Sequence, residues 1–385
     1  METIETAVIG AGVIGLAVAR RLSDAGREVV VLESEDAFGT ASSSRNSEVI
    51  HAGLYYPKDS LRARLCVSGK QALYRYCAER GVGHRRTGKL LVAADEDDIQ
   101  ALENMRVRAA ANGVDDLRLL DAAEVRALEP ALRCRSALFS PSSGIVDSHG
   151  LMLALLGEAQ AHGAALALKS PVAGGETRAE GVVLDVGGAN PTRILARTVV
   201  NCAGLGAQTV ARSIRGADPK TIPPLYYGKG SYFTLAGKTP FRHLIYPAPR
   251  PLASGWLGVH VTLDLAGRAR FGPDLEWIER PDYGVEPSRA TRFYPAIRRY
   301  WPELPEGSLQ PGYAGVRPKL ARAGEPERDF AILDPKETGV PGLFNLFGID
   351  SPGLTSCLAI ADTVGRKLGM APDPILGERR SPLPS

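Results

Sequence analysis

Gly10, Gly12 and Gly15 are spaced G-x-G-x-x-G directly after an apolar run, and Glu33 stands eighteen residues beyond the last of them. Glycines at this spacing allow a tight turn and a close approach of backbone to a pyrophosphate, and a helix that opens there offers N–H groups and the positive end of its dipole. Val13 and Ile14 lie inside the motif, where their N–H groups serve the same purpose. Glu33, followed by Ser34, can accept hydrogen bonds from ribose hydroxyls, and its charge would repel a 2′-phosphate, which disfavours NADP. The motif by itself is compatible with either FAD or NAD.

The elements around it have the order such a site requires. Glu5 to Ile9 reads as a strand, Leu16 to Ala25 as a helix stopped by Gly26, and Glu28 to Leu32 as a second strand, the pattern of a parallel sheet with a crossover helix. A helix is expected from Ser60 to Arg80, ended by Gly81, then a strand over Gly88 to Ala94 and another helix from Asp95. Asp121 and Glu124 have the spacing of a capping box, and Asp147 or Ser148 caps a helix that runs to Ala161. From about 220 to 320 alternating segments such as Gly230 to Leu235, Arg242 to Tyr246 and Trp256 to Leu263 are separated by Pro and Gly turns, which reads as an antiparallel sheet. Gly342 to Leu368 returns to strand, turn and helix.

Composition narrows the function classes. With 385 residues, 44% hydrophobic and 23% charged, the chain can fill the cores of two or three domains, and general disorder is excluded. The net charge of +3 comes without a basic block, so nucleic acid is not expected as a partner. Five cysteines, odd in number and without a Cys-x-x-Cys pair, argue against a disulfide framework or a zinc site, and no metal is expected. Residues 7 to 19 imitate a secretory signal, but Glu2 and Glu5 precede them with no Lys or Arg, and thirteen residues fall short of the roughly 20 that span a bilayer. The expectation is a cytoplasmic protein without an integral membrane segment, with peripheral contact to a membrane allowed.

Three longer segments choose the cofactor. The run Gly39-Thr-Ala-Ser-Ser-Ser-Arg-Asn-Ser-Glu-Val-Ile-His-Ala-Gly-Leu-Tyr-Tyr56 resembles the flavin loop of the D-amino-acid oxidase superfamily, and most closely that of L-2-hydroxyglutarate oxidases and dehydrogenases. Thr198-Val-Val-Asn-Cys-Ala-Gly-Leu-Gly206 is similar to that superfamily's second nucleotide-side strand, and Leu346-Phe-Gly-Ile-Asp-Ser-Pro-Gly-Leu-Thr-Ser356 to its C-terminal flavin motif. The resemblance covers nearly the whole chain. It implies an α/β fold, in which a Rossmann-like FAD-binding domain of the glutathione-reductase type (1–85, 145–218 and 325–372) carries an inserted antiparallel β-sheet substrate domain (86–144 and 219–324). Residues 373–385 would form a flexible tail.

The resemblance also assigns residues. Thr40, Ser43, Ser44, Arg45 and Asn46 of the loop, Val172, Ala203 and Gly204, and Gly348, Ser351, Gly353, Leu354 and Thr355 would hold FAD. Relatives with a Trp-His pair carry the flavin covalently on that histidine, whereas this chain has Ile50-His51, so non-covalent FAD is expected. Oxidation of a 2-hydroxy acid needs a cation for the carboxylate, a base for the hydroxyl proton and the flavin N5 for the hydride. Arg317, in Tyr313-Ala-Gly-Val-Arg-Pro-Lys319, is similar to the Gly-x-Arg-Pro element that holds the substrate carboxylate in relatives, and Lys319 would share its strand face. His51, or His260 on the polar face of its strand, is the expected base. Tyr226-Tyr-Gly-Lys-Gly-Ser-Tyr232 departs from the arginine-containing segment of the hydroxyglutarate enzymes and offers Lys229 and Tyr232 for the substrate's second carboxylate. The partners implied are a small carboxylate substrate and an electron acceptor, whether oxygen, a quinone or an electron-transfer flavoprotein. An amine or amino-acid oxidase on the same scaffold, or a flavin protein without turnover, are the alternatives.

Overall fold

The structure, a computed structural model, describes residues 1–249 and 258–377. Its main elements in chain order are β1 (Glu2–Ile9), α1 (Val13–Asp24), β2 (Val29–Leu32), α2 (Leu61–Arg80), β3 (Lys89–Ala93), α3 (Ser148–Ala161), β4 (Ala165–Ala167) and β5 (Thr192–Asn201). They continue as β6 (Tyr226–Leu235), β7 (Leu244–Pro247), β8 (Val261–Leu263), β9 (Ala269–Phe271), α4 (Ala290–Arg298), β10 (Leu309–Lys319), β11 (Leu343–Phe347) and α5 (Gly353–Lys367). Trp256 and Leu257, at the start of an expected strand, lie outside the described residues.

The first sheet is a parallel core in the order β11-β5-β1-β2-β4. β1 sits in its middle, with Thr6 opposite Val29 on one side and Thr198 on the other. A strand in this position is covered on both faces, which is why Ala7, Val8 and Ile9 form an unbroken apolar run with 0–4% exposure. The helices α1, α2, α3 and α5 pack together over this sheet around Leu16, Leu73, Leu155 and Leu358. Ser60 ends the approach to α2 by accepting a hydrogen bond from the Ala63 N–H through Oγ, and Gly81 closes the helix in the left-handed region at φ +67°.

The second sheet takes β6, β9, β8, β7 and β3 in that order, with β10 on the other edge of β6. Its pairings are antiparallel except for β7 on β3, a parallel pair that joins the 86–144 segment to the later strands. Every strand of the first sheet falls in 1–85, 145–218 or 325–372, and every strand of the second in 86–144 or 219–324. A third, small sheet pairs Val49–Ile50 with Gly144–Val146 and so fixes the backbone leading into His51.

Two expectations need correction. The segment 220–320 contains a helix, α4, whose Phe293, Tyr294 and Ile297 are buried on the second sheet, with the Phe293 and Phe233 ring centroids 4.7 Å apart. The tail does not begin at 373. Asp373 is 1% exposed and ion-paired with Arg20, its N–H donates to Asp362 Oδ1 at 2.7 Å, and Ile375 packs on the first core.

Candidate active site

The glycine motif forms the junction of β1 and α1. Gly10 adopts φ +97°, and its N–H donates to the Leu32 carbonyl at 2.8 Å, which ties the turn to the end of β2. A Cβ on Gly15 would lie 1.9 Å from the Gly10 carbonyl oxygen, so α1 can sit this close to β1 only because position 15 has no side chain. No side chain caps α1 in the N-cap manner, although the Val13 N–H donates to Ser43 Oγ at 3.0 Å. Glu33 points back into the turn, where Oε2 accepts from the Ala11 N–H at 2.7 Å and Oε1 from Ser34 Oγ at 3.1 Å. The Cys202 N–H donates to the Ile9 carbonyl, which brings Ala203 and Gly204 beside Gly10. Val172 is close by, because the Ser170 N–H donates to the Glu33 carbonyl at 2.7 Å.

The loop from Gly39 to Tyr56 runs from this turn to the second sheet. Ser42 Oγ donates to the Val316 carbonyl at 3.0 Å, Asn46 Nδ2 donates to the Ser43 carbonyl at 2.6 Å, and the Arg45 guanidinium lies 4.5 Å from the Tyr283 ring centroid. Thr40 and Ser44 are exposed. β10 crosses this loop at Gly315, where a Cβ would be 2.1 Å from the Arg45 carbonyl oxygen. The next residue of β10, Val316, is thereby held against the loop, and Arg317 follows directly.

The C-terminal motif closes the site from below. Gly348 turns the chain at φ +67° out of β11, and α5 starts after Pro352 with no side-chain cap. Ser351, Gly353 and Leu354 line a cavity of about 620 Å³; the Gly353 N–H is taken by the Asp350 carbonyl, so at the start of α5 it is the Leu354 N–H that faces the cavity without a partner among the described residues. Thr355 is buried and works on the loop instead: its Oγ1 accepts from the His51 N–H at 3.0 Å and donates to the Val49 carbonyl at 3.2 Å. His51 Nε2 lies 3.3 Å from Ser351 Oγ, and its Nδ1 is buried without a hydrogen-bond partner.

Arg317 and Lys319, on one face of β10, both border the cavity, as do Tyr232 and His260. Among the described residues Arg317 has no carboxylate partner, whereas Lys319 is paired with Asp350 at 2.8 Å and also with Glu327. Arg62, which the sequence did not single out, shares both of those carboxylates. Tyr232 donates to or accepts from Ser47 Oγ at 2.7 Å and stacks on Tyr313 with 4.6 Å between centroids. Lys229 is a correction. Strand alternation sends Gly230 and Tyr232 to the cavity and Lys229 to the other face, where its ammonium binds Asp282. Replacing Lys229 by alanine is therefore expected to change kcat/KM by no more than about twofold, a steady-state measurement, because the pair it breaks lies on the face of β6 away from the cavity.

Both histidines are held neutral. Burial pushes His51 well below the ordinary imidazole range, and Lys89, His260 and Arg317 push it further. His260 is lowered by burial, then by Lys89 and Arg317. It stacks on Tyr246 with ring centroids 3.6 Å apart. Tyr246 and Lys89 were not anticipated. A lysine at the head of the apolar run Leu90 to Ala93 is the signal that could have marked one of them.

A nucleotide turn in which a Cβ would clash, a carboxylate at the end of β2, and two helix N-termini without side-chain caps facing one cleft fit a flavin dinucleotide, and the fold and site together define a flavin oxidoreductase. The chain belongs to the FAD dependent oxidoreductase family, whose family model matches residues 5–366. It is 44% identical over 406 residues to the mitochondrial L-2-hydroxyglutarate dehydrogenase of Arabidopsis thaliana, covering 95% of this chain and 83% of that protein. It is 29% identical to L-2-hydroxyglutarate dehydrogenase of Escherichia coli (strain K12), covering 94% of this chain and 92% of that one. Among solved structures, L-alpha-glycerophosphate oxidase from Mycoplasma pneumoniae with FAD bound superposes with a TM-score of 0.85 at 24% identity, covering 97% of each chain, which establishes the shared fold. Among the described residues no helix is long and apolar enough to cross a membrane, and no cluster of His, Cys, Asp and Glu could hold a metal ion.

Proposed function

We propose that the protein oxidises a small 2-hydroxy acid to the 2-oxo acid, with L-2-hydroxyglutarate as the substrate, and that the first sheet serves FAD and the second serves the substrate. The observation that carries this reading is an Arg317 guanidinium free of any described carboxylate, in one cavity with two neutral imidazoles and the uncapped start of α5. Bound flavin supplies the hydride acceptor. Arg317 binds the carboxylate next to the reacting carbon through two parallel N–H bonds and thereby aims the C–H bond. His51 or His260 takes the hydroxyl proton as the C–H bond breaks, which a neutral imidazole can do and an imidazolium cannot. The Leu354 N–H and the positive end of the α5 dipole would offer stabilisation to negative charge at the cofactor. With Lys229 on the far face, Lys319 is our candidate for the distal carboxylate, in competition with the Glu327 it binds.

The test is product analysis with L-2-hydroxyglutarate beside glycine, sarcosine and D-amino acids. Formation of 2-oxoglutarate, and no turnover of the amines, supports the reading; the reverse sinks it. Turnover needs an external electron acceptor, and oxygen, a quinone and an electron-transfer flavoprotein are to be compared in that assay. We place the enzyme in the cytoplasm, in peripheral contact with a membrane if a quinone proves best.

The pH dependence follows from the same site. The active base is the neutral form, and its proton affinity is depressed, so acid inactivates only once pH falls below the ordinary imidazole value of about 6.5. A kcat/KM profile is expected to stay flat down through that pH and fall below it. An acid limb centred at or above 6.5 would exclude both histidines as the base.

A further inference from the structure

Lys89 is fully buried, and its Nζ has no hydrogen-bond partner. It lies 4.1 Å from the centroid of the Tyr246 ring and 5.7 Å from that of Tyr55. His260 also lies against Tyr246, stacked within 7° of parallel at 3.6 Å. An imidazole and an ammonium at those distances cannot share one face of the ring, so Tyr246 is sandwiched between them. The parallel pairing of β3 with β7, Lys89 opposite Leu244 and Leu91 opposite Tyr246, sets the two side chains on neighbouring strands. His260 borders the cavity, whereas Lys89 stands behind its wall.

A cation buried without a counter-ion costs several kcal/mol, and methionine, of similar length, would fill this place without that cost. The charge therefore points to a use. We propose that Lys89 is a positioning residue for the proton acceptor: its ammonium fixes the Tyr246 ring, and with it the imidazole of His260 on the opposite face. This rests on the reading that an imidazole takes the hydroxyl proton. The groups that face this cluster are Cys66 from α2, with Lys70 of the same helix beside it, Tyr55 from the loop after His51, Tyr246 from β7, Tyr232 from β6, and Arg317 from β10. The Cys66 thiol, whose Sγ donates to the His51 carbonyl, is pushed up to about 12 by burial and so brings no neutralising charge. Burial lowers Lys89 itself to about 7. Its charge is thus present below that pH, where it adds to burial in disfavouring protonation of His260 and His51.

The test is an NMR titration of ¹⁵N-histidine holoenzyme, wild type against Lys89→Met, with Lys89→Gln as a second variant should the first not load flavin. The expected result is that His260 and His51 take up protons about one pH unit higher in the variant, and that the acid limb of kcat/KM moves up with them. Unchanged histidine titration in a flavin-loaded variant would overturn the proposal. The titration needs no substrate, so a failure of the Lys89 role is distinct from a failure of L-2-hydroxyglutarate to turn over.

Discussion

Arg317→Leu is expected to purify with stoichiometric FAD and to lose about 10²–10³-fold in kcat/KM toward 2-hydroxyglutarate. The loss corresponds to two charge-assisted hydrogen bonds, together about 3–4 kcal/mol. FAD should stay because Arg317 reaches the cavity from β10, while the turn at Gly10, the loop from Ser42 to Asn46 and the start of α5 do not depend on it. Arg317→Lys keeps the charge but not the planar fork, and should fall between, about tenfold below wild type. Steady-state kinetics on flavin-normalised enzyme decides the matter. Normal kinetics in the leucine variant would remove Arg317 from the substrate site.

Gly15→Val should have the second large effect, of another kind. Its Cβ would lie 1.9 Å from the Gly10 carbonyl oxygen, a backbone atom that cannot move without separating α1 from β1. Loss of FAD loading and a drop in stability of several kcal/mol are expected. Gly26→Ala is the control. Gly26 also has a positive φ, +81°, but a Cβ there meets nothing within 4 Å, so only the backbone strain of about 1–2 kcal/mol applies and flavin should be retained. Flavin-to-protein absorbance and thermal unfolding of the two variants give the comparison, and a yellow, stable Gly15→Val would contradict this account of the turn.

The parts of the molecule that were legible in the sequence are those whose physics is local. The nucleotide turn needs three glycines and an acidic residue at set spacing. The capping box at Asp121 and Glu124 forms with both of its hydrogen bonds, and Ser60 and Gly81 bracket α2, because caps depend on neighbours a few residues away. Alternation also puts Arg317 and Lys319 on one face of β10. Applied to β6, the same rule sends Lys229 away from Gly230 and Tyr232, so standing near the position of a family arginine is not enough to make it a substrate residue. What was not legible depends on distant partners. α4 carries Pro295 and stands among Pro and Gly turns, and what makes it a helix is burial of Phe293 and Ile297 on the second sheet. Asp373 looked like the start of a loose end because its partner, Arg20, is 353 residues away. The same holds for Lys89, whose stack with Tyr246 and His260 joins residues from three strands or their flanks.

The central claim, that this cleft oxidises a 2-hydroxy acid through its flavin, is tested most directly by anaerobic mixing of the purified yellow protein with L-2-hydroxyglutarate. The expected result is rapid bleaching of the visible flavin band by the hydroxy acid and none by glycine, sarcosine or D-amino acids. Bleaching by an amine alone, or by none of these compounds, would contradict it.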